Sequence, residues 1–402
     1  MKDALKSMNK KYLVIIASIF AVLFLIIIIV AITRSCSKPG RNYENAEKKL
    51  VDGAKKYFKA NPDAKPAEGK STTVTSSTLV DGNYMKTLSS YLKDTSCVGD
   101  VKVYNNGGQY LVVPNLECAE YKTTHLSDKI KKDSLISTST NNTEVVEQTV
   151  DTTNSLNNTN TNQASISEES DGKDYISGLY DVNGVYIFKG KKPNNYLTFG
   201  GIKWRIIDID ENNIIRAVKT DSEKRSARWD TKYNVDVKDS KGINDYKNSS
   251  ILELLNSEYE DFKDTNKLHL APMNVCIGKR NDKLLGKGRD IDCSNRLENQ
   301  YIALVNSGDV ARASLDENCN SVTSGACVNY NYLSTLLIQS WTTNGHLDNS
   351  YQVIAINSGL AHAFDAKESL KYNWVIAING DEIYTKGDGT EDNPYVISGS
   401  KK

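Results

Sequence analysis

Residues Tyr12–Ile32, YLVIIASIFAVLFLIIIIVAI, carry no charge over 21 positions. A helix of that length matches the ~30 Å hydrocarbon layer of a bilayer. Cleaved signal peptides have a shorter apolar region, roughly 7–15 residues, that ends in small residues. This run ends instead in Ile32-Thr33-Arg34. The expectation is a retained transmembrane helix over 12–33, preceded by a cytoplasmic tail over 1–11, with the lipid bilayer as its partner. Cys36 follows closely, but Thr33-Arg34-Ser35 before it lacks the aliphatic residue of a lipidation site.

Charge says little about orientation, because Lys2, Lys6, Lys10 and Lys11 precede the run and Arg34, Lys38 and Arg41 follow it. The cysteines say more. Apart from Cys36 there are Cys97, Cys118, Cys276, Cys293, Cys319 and Cys327, in local pairs 21, 17 and 8 positions apart. There is no CxxC, and no cysteine lies near a histidine at zinc-ligand spacing. Local pairing fits disulfides in an oxidising compartment. That places the N-terminus in the cytoplasm and the bulk of the chain outside the cell. Six reduced cysteines in a cytosolic protein are the alternative. The 50 basic and 50 acidic residues balance, which excludes the basic excess of a nucleic-acid-binding domain. Tyrosine outnumbers phenylalanine 22 to 7, a bias that suits contact surfaces.

Along the chain, 41–62 reads as a helix, with Tyr43, Ala46, Leu50, Ala54 and Tyr57 at three- and four-residue steps and Asn61-Pro62 as its end. Ser77–Leu92 reads as a second helical stretch broken near Asp81-Gly82-Asn83. A hairpin follows, Asp100–Tyr104 and Gln109–Val113 around the loop Asn105-Asn106-Gly107-Gly108. A four-residue loop sets Cys97 opposite position 116, so 118 is the next position on the same face and a bridge is feasible. A membrane helix, a second helix and a disulfide-bracketed sheet resemble the layout of a pilin or pseudopilin over 41–126. The glycine cleavage site and the glutamate of a prepilin are absent. Residues 127–173 are mostly Ser, Thr and Asn with few large apolar side chains, and read as a disordered linker.

Residues 174–399 are dense in strand signals: Val185–Phe188, Tyr196–Phe199, Ile202–Asp208, Ile214–Lys219, Tyr351–Asn357, Ala361–Asp365, Tyr372–Asn379 and Glu382–Thr385. Tyr301–Val305 reads as a short strand or buried segment and Asp309–Ser314 as a short helix. Ser250 and Glu253 form a capping-box pattern ahead of Ile251, Leu254, Leu255 and Tyr259. The expected class is α+β.

The ordered series SGLYDVNGVYIFKG, NNYLTFGGIKWRIIDI, SSILELLNSEY, QSWTTNG and GDGTEDNPYVI resembles a domain of membrane-anchored surface proteins of low-GC Gram-positive bacteria. Such domains are similar to the C-type-lectin-like fold, also the architecture of the formylglycine-generating enzyme. The resemblance covers about 174–398 and implies that fold without fixing an activity. Family members carry Val-Arg-Pro before the penultimate strand; here Tyr372-Asn373-Trp374 stands there.

Candidate chemistry is sparse. His346 and His362 lie near Asp348 and Asp365, residue types suited to metal or acid–base work, but no motif frames them. Cys276, Cys293, Cys319 and Cys327 flank polar loops and suit structural disulfides. Three pairings are open, and the sequence-local 276–293 and 319–327 are preferred. Trp204, Trp341 and Trp374 sit in strand-like contexts and suit the core. Trp341 is also a candidate for a ligand-stacking surface, and Trp229, in a polar stretch, is the better candidate for exposure. Asp388, Thr390, Asp392 and Asn393 carry oxygens of the kind calcium takes, yet lack the EF-hand spacing. Gly387, Gly389 and Pro394 suit a tight turn into a last strand near the first strands of the domain.

Together these features predict a single-pass surface protein that recognises or adheres to a glycan or a protein. A structural, pseudopilin-like envelope component is the alternative, as is a formylglycine-type oxidase or wall-modifying enzyme, which requires a free cysteine or an exposed acid–base pair. No LPxTG-type motif precedes Ser400-Lys401-Lys402, so anchoring is expected from the N-terminal helix.

Overall fold

The computed structural model describes residues 40–92, 94–136, 167–170, 173–221, 226–262, 264–280, 291 and 293–397. Among them no helix is long and apolar enough to cross a membrane, and the apolar run 12–32 lies outside them. The fold is mixed α+β, mostly sheet. The chain divides into two compact units. The first comprises residues up to 60, 74–101 and 114–122, and the second 61–73, 102–113 and 123 onward.

In the first unit, helix α1 (Gly40–Ala60) ends at Asn61 and a 3-10 turn begins at Pro62. Its buried stripe is Ala46, Leu50, Ala54 and Phe58, one residue per turn. Tyr43 and Tyr57 stay half-buried beside that stripe: Tyr43 stacks on Tyr121 at 4.3 Å and Tyr57 meets Tyr84 edge-on at 5.5 Å. Strand β1 (Ser71–Thr75) leads into α2 (Ser76–Asp81), whose N-terminus is capped by Thr75 Oγ1 accepting from Thr78 N at 3.2 Å. The expected longer helical stretch is thus one short helix plus a 3-10 turn over Leu88–Ser90.

Strands β2 (Val98–Asn106) and β3 (Gln109–Glu117) run further than their sequence signal: a shorter turn adds Asn105 and Asn106 to β2, and both strands continue at the end away from the turn. Gly107 and Gly108 take φ of +61° and +83°, the conformation of a two-residue hairpin turn whose twist matches that of the strands. Counting back from Asn106 and Gln109 sets 97 directly opposite 118. The Cys97–Cys118 disulfide, with a Cα separation of 4.1 Å, closes the hairpin there.

In the second unit, part of the expected linker is ordered. Residues Leu126–Ser134 form helix α3, with Leu126 and Ile130 fully buried in the core of this unit. Its amides begin on fixed acceptors: Leu126 N donates to Glu382 O at 2.7 Å and Ser127 N to Gly380 O at 2.9 Å. Two apolar residues four apart were enough to dock a short helix that composition alone marks as polar. The Ser/Thr/Asn-rich residues 137–166 lie outside the described residues.

Strands β4 (Ser167–Ser170) and β5 (Lys173–Ile176) pair antiparallel. Then β6 (Gly178–Val182), β7 (Val185–Lys189), β8 (Tyr196–Phe199), β9 (Ile202–Ile209) and β10 (Ile214–Lys219) build the main sheet by successive short connections. Strand β11 (Ser226–Arg228) precedes helix α4 (Ser250–Glu260). The cap of α4 is Ser249 rather than Ser250: Ser249 is extended and its Oγ accepts from Leu252 N at 3.3 Å. A short helix α5 (Asp264–Lys267) leads to the pair β12 (Met273–Cys276) and β13 (Arg296–Gln300). Tyr301–Val305 makes only a bridge, Ala303 to Val375, and helix α6 is Ser307–Arg312, two residues earlier than its sequence signal.

After helix α7 (Tyr332–Leu336), β14 (Ser340–Gly345), β15 (Gln352–Asn357), β16 (Leu360–Asp365) and β17 (Ser369–Lys371) join β11 in a five-stranded sheet. Strands β18 (Val375–Asn379), β19 (Tyr384–Lys386) and β20 (Tyr395–Ile397) complete the main sheet in the order β18-β10-β9-β8-β20-β19. The last strand lies parallel to β8, one of the first of the unit, with Tyr395 opposite Leu197. One continuous apolar core joins both sheets.

Candidate binding clefts

The charge pattern of β9 and β10 sets up the first cleft. Asp208 on β9 and Arg216 on β10 each have apolar neighbours on both sides, and the register puts them opposite one another. Arg216 Nε donates to Asp208 Oδ1 at 2.9 Å, and its Nη2 donates to Asp309 Oδ1 at 2.7 Å. Asp309 is set by α6, where its Oδ2 also accepts from Asn306 N at 2.9 Å, closing a capping box. Burial works against the guanidinium charge, but the two carboxylates outweigh it and hold the Arg216 pKa well above its usual value.

A cleft of about 410 Å³ opens over this triad. Asn274, Asn306, Arg312 and Thr343 contribute polar groups, and Met273, Val275 and Leu304 contribute apolar ones. The Cys276–Cys293 disulfide borders it, with a Cα separation of 4.6 Å. Asn306 Nδ2 and Thr343 Oγ1 both donate to Cys276 O, at 3.1 and 3.0 Å, which fixes that wall. Arg312 has no ion-pair partner among the described residues.

A second cleft, of about 500 Å³, adjoins the first across the β9–β10 turn. In that turn Asp210 Oδ1 accepts from Asn212 N at 2.9 Å and Ile214 N at 2.7 Å, and Asn213 takes φ +61°. Behind the lining, Asp381 accepts from Lys102 Nζ at 3.0 Å, from Asn213 Nδ2 at 3.3 Å and from the Tyr104 hydroxyl. Burial would raise the Asp381 pKa; the Tyr104 and Lys102 hydrogen bonds reverse that and hold it below the usual value. Burial, followed by the Asp381 hydrogen bond, pushes the Tyr104 phenol up to about 12. Next in sequence, Glu382 Oε1 lies 2.6 Å from His269 Nδ1, and burial raises the Glu382 pKa despite that partner.

Several residues singled out by sequence sit elsewhere. Trp229 and Trp341 are both fully buried, so neither presents a ring face to a ligand. Trp229 Nε1 donates to Thr342 O at 3.0 Å and Trp341 Nε1 to Ala227 O at 2.8 Å, so each indole spends its only polar group inside the fold. The polar neighbours that suggested exposure for Trp229 serve other ends: Asp230 is itself buried and accepts from Ile243 N and Ser250 Oγ, at 2.8 and 2.9 Å.

At the C-terminal loop Asp388 Oδ1 accepts from Thr390 N and Oγ1, at 3.1 and 2.7 Å, and Asp388 N donates to Asn393 O at 2.9 Å. Gly387 and Gly389 take φ of +101° and +79° against the backbones of Pro394 and Asn194, where a Cβ would clash. These oxygens knit a turn. Among the described residues the one group of three His, Cys, Asp or Glu side chains with converging ligand atoms is Asp94, Cys97 and Cys118, whose sulfurs are bonded to each other.

His346 Nδ1 accepts from Asp348 N at 3.2 Å within a turn, and His362 stands exposed on β16. The third disulfide joins Cys319 and Cys327 at a Cα separation of 4.5 Å.

Sequence reasoning passed over Asp208, Arg216, Asp309, Lys102, Tyr104 and Asp381. One signal was present: a charge set between apolar strand residues, Arg216 in IIRAVK or Asp208 in WRIIDI, needs a buried partner. No family model, curated protein or solved structure matches the chain.

Proposed function

We propose that the protein is a membrane-anchored extracellular recognition module. The apolar run 12–32 anchors it, and a C-type-lectin-like domain over 174–399 binds a surface glycan or protein. The pilin-like segment over 41–126 stands next to the membrane in this reading. The observation that carries it is the pair of adjoining polar clefts beside the Cys276–Cys293 disulfide. Their floors are fixed by paired charges, and Arg312 is left to meet a ligand. Such preorganised walls favour binding, because little side-chain entropy is lost when the ligand arrives. The alternative of a cysteine oxidase needs a thiol, and Cys276, Cys293, Cys319 and Cys327 are all engaged in disulfides.

The test is a binding screen of the full chain in lipid nanodiscs against arrays of surface glycans and extracellular proteins, repeated with Arg312→Ala. A ligand whose binding drops with that variant supports the reading. Absence of any ligand on both arrays, together with native alkylation of the six paired cysteines, would sink it.

A further inference from the structure

The two clefts are not independent: Asn212, Ile214 and Pro272 line both. A ligand long enough to pass that shared wall would occupy both at once. The second cleft has a distinctive chemistry. Lys102 is neutralised by Asp381, and the two remaining charges on its lining, Lys70 and Glu211, are exposed and opposite in sign. Nothing there selects a net anion or cation. Apolar lining is limited to Ile214, Ala271, Pro272 and the ring of Tyr104, too little to hold the side chains of a peptide.

What the cleft offers instead is amides. Asn106, Asn212, Asn213 and Asn379 line it. Asn379 is 1% exposed; its Oδ1 accepts from Asp381 N at 3.0 Å, while its Nδ2 has no hydrogen-bond partner among the described residues. A buried N–H left unmet is costly, so this donor is suited to an acceptor brought by a ligand. Asn106 is nearly as buried and is held by its Nδ2 donating to Leu268 O at 2.8 Å. Amide side chains carry both donors and an acceptor, and sugar hydroxyls both donate and accept.

We infer that the second cleft is a sugar-binding subsite, and that its ligand is a neutral oligosaccharide that continues over Asn212 and Pro272 into the first cleft. This rests on the recognition reading above and chooses glycan over protein. The volume of about 500 Å³ is in the range of small-ligand sites. Asn379 contacts the ring that enters the second cleft, and Asn212 contacts the chain where it crosses between the two.

The experiment is calorimetric titration of the full chain in nanodiscs with neutral tetrasaccharides of glucose, galactose, mannose and N-acetylglucosamine. The expected result is binding of at least one, weakened about fivefold by Asn379→Asp, which replaces the donor with an acceptor, and similarly by Asn212→Ala. Asn212 is exposed, so its variant keeps the wild-type melting temperature and guards against a folding artefact. Binding that falls with Arg312→Ala but ignores both asparagine variants overturns the subsite and leaves the recognition reading standing. No binding of any of the four sugars also overturns the subsite; a protein ligand found by the screen above would then carry the recognition reading alone.

Discussion

His269 Nδ1 and Glu382 Oε1 lie 2.6 Å apart in an interior where both side chains are less than a tenth exposed. Burial, the larger influence, raises the Glu382 pKa from its reference of 4.5, and the His269 contact lowers it only in part. A carboxyl with a raised folded-state pKa binds more protons folded than unfolded. Its contribution to stability is therefore fully present below about pH 4.5 and declines as pH rises through the folded value. Glu382→Gln keeps an acceptor for His269 and should flatten that decline. Glu382→Ala leaves the imidazole without its partner and should cost about 1–3 kcal/mol. Chemical denaturation at a series of pH values separates the two; a wild-type stability that climbs with pH across this window in step with Glu382 would contradict the assignment.

The cluster around Asp381 has the opposite sign at its acid. Its pKa is held below 3.8, so its contribution is present above that value and lost as pH falls. Tyr104 adds a limit at the alkaline end. Its phenol is raised from 10 to about 12, so its contribution is intact below pH 10 and lost as pH rises through 12. Burial also raises Tyr246, Tyr332 and Tyr395, so ultraviolet titration should show one late-ionising tyrosine fewer in Tyr104→Phe than in the wild type.

Arg216 joins Asp208 and Asp309, whose side chains are 5% and 1% exposed. Arg216→Met removes the cation that pairs with two buried carboxylates and should cost about 3–5 kcal/mol. Asp309→Asn keeps an acceptor for the α6 cap and should cost less. Almost no loss for Asp309→Asn in urea unfolding would mean that Asp309 acts only as a cap, and a loss equal to that of Arg216→Met would mean that its charge matters as much as the cation.

Much of this fold was legible because its signals are local. Tyr196–Phe199 and Ile214–Lys219 have the bounds their patterns implied, since each strand is flanked by turn residues that stop it. The hairpin between Cys97 and Cys118 was legible but its turn was not: Asn105 and Asn106 look like loop residues, yet both are buried, and Asn105 donates to Pro66 O at 2.9 Å. The clefts could not be read at all. Lys102, Asn212, Pro272, Arg312 and Asn379 come from five separate stretches, and only the sheet order brings them together. Trp229 misled for the same reason, because the carbonyl that receives its indole N–H is 113 residues away.

The three disulfides close loops of 21, 17 and 8 positions. In the loop-entropy account each should contribute roughly 2–4 kcal/mol, with the shortest giving least. Native alkylation followed by peptide mapping should modify none of these six cysteines. Paired Cys→Ser replacement at 276 and 293 should also loosen the first cleft, since Asn306 and Thr343 both anchor on Cys276 O. The same replacement at 319 and 327 should lower stability without that effect on ligand binding.

Trp229 decides between core and contact surface. Its ring is fully buried against Tyr246, with centroids 5.9 Å apart, and its N–H is spent on Thr342 O. Trp229→Ala should therefore cost about 3–5 kcal/mol, the usual loss for emptying an aromatic core position. Trp229→Phe fills most of that volume but leaves the Thr342 carbonyl short of a donor, so it should cost less while leaving ligand affinity unchanged. Trp204 and Trp341 are also fully buried and Trp374 is 7% exposed, so acrylamide should quench the emission poorly and a bound sugar should barely shift it. Strong quenching, relieved by ligand, would place an indole at the surface and return Trp229 and Trp341 to the list of contacts.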